Sequence, residues 1–182
     1  ITGDLAYLDM LENQWVSVTK KGTWDENDSF SLNGMFSPDG QWLSFIKPYQ
    51  GARNIWVKAA DEPFASAKPI TADDRPVPGY FWSRDSQYVL YVQDKDGDEN
   101  FHVWAVDPAG EIGEDGVPAA RNLTPVPGVR AQIYSVPKNA PDIILVGMND
   151  RDPRYHDVYR VEIATGKRSL MMENNEAVGA YE

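Results

Sequence analysis

The chain has 182 residues, 42% of them hydrophobic, and 17 Lys and Arg stand against 28 Asp and Glu for a net charge of −11. That length and hydrophobic content suit one soluble domain with a real core and exclude a disordered chain, while the negative charge makes nucleic acid and anionic membrane surfaces poor partners. No cysteine is present, which removes disulfides, thiolate nucleophiles and Cys-ligated zinc and leaves the redox compartment undecided.

At the N-terminus, Ile1 is followed by Gly3 and Asp4, with no basic stretch ahead of an apolar one, so no signal peptide is expected. The first residue is not Met, and the chain is expected to be a fragment or a processed form. Leu5–Asp9 and Gln14–Val18 alternate as strands around a Glu12-Asn13 turn, and residues 1–30 read as a hairpin or half of a larger repeat.

From there the chain repeats. The first copy opens on Gly34-Met35-Phe36 and the turn Ser37-Pro38-Asp39-Gly40, continues through strands at 42–46 and 54–58, and closes on Lys68-Pro69-Ile70-Thr71. The second opens on Tyr80-Phe81-Trp82-Ser83-Arg84-Asp85-Ser86, has strands at 88–92 and 102–106, and closes on Arg121-Asn122-Leu123-Thr124. The third opens on Ala131–Ser135, has strands at 142–147 and 157–162, and closes on Arg168-Ser169-Leu170. Trp56, Trp104 and Tyr159 hold one register, and Ile70, Leu123 and Leu170 are expected to hold another. Four short strands per ~40–50 residues is the spacing of β-propeller blades.

The predicted fold is therefore all-β: a partial β-propeller of four-stranded antiparallel blades, about three blades plus a half-blade. The expected divisions are 1–30 for the half-blade, 31–72, 73–125 and 126–173 for the blades, and 174–182 for the start of a following blade. Trp15, Trp42, Trp56 and the Ile143–Val146 strand would then line incompletely covered faces, and the isolated chain is expected to self-associate or melt early. No apolar run approaches the ~20 residues of a membrane-spanning helix. Trp42, Trp56, Phe81, Trp82, Tyr91 and Trp104 sit on predicted strands and are expected to be core, with a ligand-stacking platform the lesser reading.

The search for chemistry yields little. None of the ten serines lies in Gly-x-Ser-x-Gly, and no His-Glu-x-x-His, Gly-x-Gly-x-x-Gly or phosphate loop occurs. Gly110, Gly113 and Gly116 read as a flexible hairpin loop. His102 and His156 stand at the start of third strands, at or beside a position that is Asn54 in the first copy and Asp157 in the third. A position shared by Asn, His and Asp reads as structural hydrogen bonding rather than catalysis. No catalytic residue and no cofactor is predicted. Asp94, Asp96 and Asp98, in Asp94-Lys95-Asp96-Gly97-Asp98-Glu99-Asn100, are weak calcium candidates. The helical calcium loop wants Gly and Glu where Glu99 and Ala105 stand, so a charged β-turn is the favoured reading. Asn27-Asp28-Ser29 and Asn122-Leu123-Thr124 fit the glycosylation pattern, which arises often by chance.

Ser37-Pro38-Asp39-Gly40 resembles the turn of TolB-like, WD40-like repeats. Longer strings are more specific: Tyr80-Phe81-Trp82, residues 93–100, Leu123-Thr124-Pro125, Gly128-Val129-Arg130-Ala131, and residues 149–159 from Asn149 to Tyr159. Together they resemble the N-terminal propeller of bacterial prolyl oligopeptidase family serine peptidases, in the acylaminoacyl-peptidase and dipeptidyl-peptidase branch, over roughly residues 33–175. The resemblance implies a C-terminal α/β-hydrolase domain as partner, short peptides as substrates, and a propeller that restricts access to the active site. It carries over no catalytic residue to this chain. A non-catalytic, TolB-like binding scaffold is the alternative, and fold alone does not separate the two. A soluble protein of the bacterial cytoplasm or periplasm is expected.

Overall fold

The computed structural model describes residues 6–9, 14–17 and 32–176. Ala6–Asp9 (β1) and Gln14–Ser17 (β2) pair antiparallel as a hairpin. Three four-stranded antiparallel sheets follow, each with its strands in chain order. Blade I holds β3 (Leu32–Phe36), β4 (Trp42–Tyr49), β5 (Ala52–Ala59) and β6 (Lys68–Pro69). Blade II holds β7 (Tyr80–Trp82), β8 (Val89–Gln93), β9 (His102–Val106) and β10 (Arg121–Asn122). Blade III holds β11 (Ala131–Ser135), β12 (Ile143–Asp152), β13 (Tyr155–Glu162) and β14 (Arg168–Met172). One 3₁₀ turn, Phe64–Ser66, is the only helical element among the described residues, and it stacks the Phe64 ring on Phe45 at 4.7 Å. The all-β, partial-propeller reading of the sequence holds, and each of the six strands expected at 42–46 through 157–162 is present. Residues 177–182 of the expected following blade and the Asn27 sequon lie outside the described residues, and no described helix is long and apolar enough to cross a membrane.

The sheets stack because successive side chains on a strand point to opposite faces. In blade II, Val89, Tyr91 and Val106 pack with Ile46, Ile55, Val57 and Ile70 of blade I. Leu90, Val103, Ala105 and Leu123 pack instead with Ile144, Val146, Met148, Val161 and Ile163 of blade III. One sheet thus supplies both cores by alternation.

Two turns repeat atom for atom where the sequence repeats. Ser37 and Ser83 each donate their hydroxyl to the carboxylate two residues on, Asp39 and Asp85. Those hydroxyls accept from Trp42 N (3.0 Å) and Tyr88 N (2.9 Å), and the carboxylates accept from Gln41 N and Gln87 N, both at 3.1 Å. The Ser37 hydroxyl holds the Asp39 carboxyl below its ordinary value, with help from the Gln41 amide. The turn needs a left-handed residue next: Gly40 provides it at φ +73°, whereas Ser86 adopts φ +63° in blade II. The Ser86 hydroxyl accepts from Asp39 N at 3.0 Å, a bond between blades. Trp82 Nε1 adds another, donating to Ser44 Oγ at 2.8 Å.

Connections between blades are latched the same way. Ile70 N and Leu123 N donate to Ile55 O and Val103 O, both at 2.8 Å. The next residues, Thr71 and Thr124, accept through Oγ1 from Ile55 N (2.9 Å) and Val103 N (3.0 Å). Blade III departs from this pattern. Its Leu170 faces Tyr159, the place held by Pro69 opposite Trp56 and by Asn122 opposite Trp104. The register expected from Ile70, Leu123 and Leu170 is therefore one residue off in the third copy. No Thr follows Leu170 to turn the chain inward, so β14 runs on as an edge strand and leaves Leu170, Met171 and Met172 exposed.

Candidate functional site

The polar position at the start of each third strand does the same job three times with different chemistry. Asn54 is fully buried. Its Oδ1 accepts from Thr71 Oγ1 (2.8 Å) and Asp73 N (2.9 Å), and its Nδ2 donates to Asp73 O (3.0 Å) and Tyr49 O (3.2 Å). His102 Nδ1 meets the Thr124 carbonyl at 2.6 Å, so that nitrogen carries the proton. Asp157 Oδ1 accepts from Asn174 N at 2.7 Å, and Arg151 binds both of its carboxylate oxygens at 2.7 and 2.8 Å. Each of the three holds the chain as it leaves its sheet. Arg151 holds the Asp157 carboxyl below its ordinary value.

Neither histidine hydrogen-bonds a serine among the described residues. His102 is engaged by Thr124. His156, on β13, is half-buried and lies 3.2 Å from Gln132 Nε2 through its own Nε2. Burial, and then the nearby Arg130 charge, lower its pKa. A nucleophile with a base in reach and donors for an oxyanion is not assembled by the described residues.

The acidic turn is an internally satisfied loop. Asp94 is buried and accepts from Arg75 Nη1 at 3.1 Å and Glu99 N at 3.2 Å. Asp98 accepts from Asn100 N at 3.0 Å, which with the Asn100 side chain holds its carboxyl below the ordinary value. Asp96 and Glu99 both adopt positive φ around Gly97. Asp94, Asp96 and Asp98 do not come together as a metal-binding group, and no cluster of three or more His, Asp or Glu among the described residues does.

The six aromatics divide. Trp82 and Tyr91 are buried; Trp42, Phe81 and Trp104 are half-buried at the cluster margins, and Trp56 is half-buried. Trp56 Nε1 donates to Lys47 O at 3.1 Å, with Lys47 Nζ 5.3 Å over its ring. Trp104, its counterpart, stacks on Tyr91 at 6.5 Å but has a buried Nε1 with no acceptor among the described residues. Burial raises the Tyr91 hydroxyl strongly, with Asp73 adding to the effect, and Tyr80 rises to about 12 by burial. Sequence reasoning missed one feature of this region, the guanidinium of Arg130 over the Phe101 ring at 5.5 Å. Nothing in residue spacing signals that contact, because the two residues belong to different blades.

No protein-family profile matches the chain. It is 41% identical over 150 residues to dipeptidyl aminopeptidase BIII of Pseudoxanthomonas mexicana, covering 82% of this chain and 21% of that protein. The chain thus spans about a fifth of the length of this curated relative. Among solved structures it is similar to the β-propeller domain of the trilobed protease from Pyrococcus furiosus (TM-score 0.52, 21% identity, 88% of this chain, 45% of that one). It is also similar to prolyl oligopeptidase B from Galerina marginata (0.52, 12%, 82% and 21%) and to TolB from Acinetobacter baumannii (0.53, 14%, 94% and 38%). At those identities the structures establish a shared propeller fold.

Proposed function

We propose that this chain, a β-propeller segment of the prolyl oligopeptidase family related to the dipeptidyl aminopeptidases, is the substrate-gating part of a serine peptidase that cleaves short peptides. The observation that carries the reading is the 41% identity to a dipeptidyl aminopeptidase across four-fifths of the chain. In this reading the chemistry belongs to an α/β-hydrolase domain of the same protein. The stacked blades form a rigid wall, and a rigid wall beside an active site admits small substrates and excludes folded ones.

The test is the reading frame beyond Glu182. A Gly-x-Ser-x-Gly segment within the next few hundred residues is expected, and the protein containing it should hydrolyse a dipeptidyl or acylaminoacyl chromogenic substrate, with turnover abolished by a serine-reactive phosphonate. The 182-residue chain alone should show none. A stop codon directly after Glu182, or turnover by the propeller segment itself, overturns the reading, and the stop codon returns it to a TolB-like binding scaffold.

A further inference from the structure

Blade III and the segment leading into it, residues 126–173, contain five arginines. Arg151, Arg154 and Arg160 each pair with a carboxylate, on Asp157, Asp152 and Glu162. Arg168 reaches Met148 Sδ at 3.7 Å. Arg130, like Arg168, meets no carboxylate among the described residues; its guanidinium lies over the Phe101 ring. The acids of the adjacent β12–β13 hairpin are already engaged, Asp150 by the Tyr159 hydroxyl at 2.9 Å and Asp152 by Arg154 at 2.8 Å. The unpaired cation is also held in place. Arg130 N donates to Asn149 Oδ1 at 2.7 Å, and Ala131 N donates to Phe101 O at 2.8 Å, which fixes the stacked ring and the arginine to one another.

His156 lies in the same corner, its Nε2 3.2 Å from Nε2 of Gln132, which stands two residues along from Arg130. The amide nitrogen of Gln132 can only donate, so the His156 Nε2 that it meets is the acceptor and the ring proton sits on Nδ1. That Nδ1–H has no acceptor among the described residues. No hydrogen bond engages the Arg130 guanidinium among the described residues, so its N–H fork is available, and that fork matches a carboxylate.

We propose that this corner of the blade II–blade III seam binds the C-terminal carboxylate of a short peptide, on the Arg130 guanidinium with the His156 Nδ1–H as a second donor. The inference rests on the short-peptide reading above and deepens it, since anchoring the free end of a peptide selects for length. In a chain of net charge −11, a cation without a partner is a local attraction for an anion that the rest of the surface repels.

Titration calorimetry on the 182-residue chain tests it, with trialanine and its C-terminal amide as probes. Trialanine should bind about two- to fivefold tighter than the amide, in line with a solvent-accessible charge pair. Arg130→Gln should abolish that preference, Arg130→Lys should retain part of it, and Lys138→Gln, on the distant β11–β12 turn, should leave it intact. Each variant is compared at an unchanged thermal melt. Equal affinity for acid and amide, no binding of either, or a preference that survives Arg130→Gln overturns the proposal. A longer reading frame that shows peptidase activity alongside any of these results leaves the gating reading standing and removes only this site. An acid preference in a protein without peptidase activity does the reverse.

Discussion

Replacing Asn54 by Ala tests the latch that ties blade I to blade II. The side chain is fully buried and makes five bonds to the departing chain and the β4–β5 turn. Alanine strips the acceptor from the buried Thr71 hydroxyl and from Asp73 N, and the donor from three carbonyls. An unsatisfied buried group costs about 1–3 kcal/mol. Water reaches part of this site, so two donors left unpaired set a loss of about 3 kcal/mol. In a protein of this size that is roughly 6–12 °C of melting temperature. Urea melts followed by circular dichroism read it directly. Thr71→Val removes the partner hydroxyl, and the double variant should lose about 1–2 kcal/mol less than the two single losses combined, because residues sharing a hydrogen bond are coupled. An Asn54→Ala loss below about 1 kcal/mol, or strict additivity in the cycle, would refute the reasoning.

Ser86→Gly should be nearly neutral, because relief of about 1 kcal/mol of left-handed strain offsets the lost bond to Asp39 N, whereas Ser86→Ala should cost about 1 kcal/mol; equal melts for the two would contradict the strain argument. Gly147→Ala places a methyl in the Tyr134 ring and should cost about 1–3 kcal/mol in a denaturant melt, with Tyr134→Ala in the same chain restoring part of the loss. Below about pH 4 the wild type should lose stability more steeply than Arg151→Gln: the Asp157 carboxyl is held low only in the folded state, so protons favour unfolding, and parallel acid limbs would count against the pair. Millimolar calcium should leave the melting curve unchanged, because Arg75 already neutralises Asp94; a rise in melting temperature would show that Asp94, Asp96 and Asp98 rearrange into a site.

The sequence revealed those features that each strand or turn carries by itself. Alternation and punctuation located β4, β5, β8, β9, β12 and β13 to within a few residues, and the Ser-x-Asp turns announced their own geometry. Counting separations placed Leu170 with Ile70 and Leu123, yet pairing is decided by the neighbouring strand, which sets Leu170 opposite Tyr159, a register that no single strand encodes. The shared role of Asn54, His102 and Asp157 was visible as a polar position, but what each one holds lies 17 to 22 residues further along the chain. Arg130 over Phe101 was invisible for the same reason, since it joins two sheets. The acidic turn looked like a cation site because the cation that fills it, Arg75, comes from the connection between blades.

The middle sheet's double duty has a consequence for how the molecule opens. Blades I and III can each peel away by giving up one apolar interface, but blade II cannot leave without sacrificing two. In a linear stack with nearest-neighbour coupling, opening then proceeds from the outside inward. Amide exchange should therefore be graded across the sheets, with the β8–β9 amides of Leu90, Tyr91, Val103 and Ala105 the last to trade their protons. A cavity cut into that strand pair acts on the junction its side chain faces. Val103→Ala, like Val161→Ala on the opposite wall, should loosen the blade II–III core, whereas Val57→Ala should loosen the blade I–II core, and amide exchange should quicken first in the outer blade of the weakened junction.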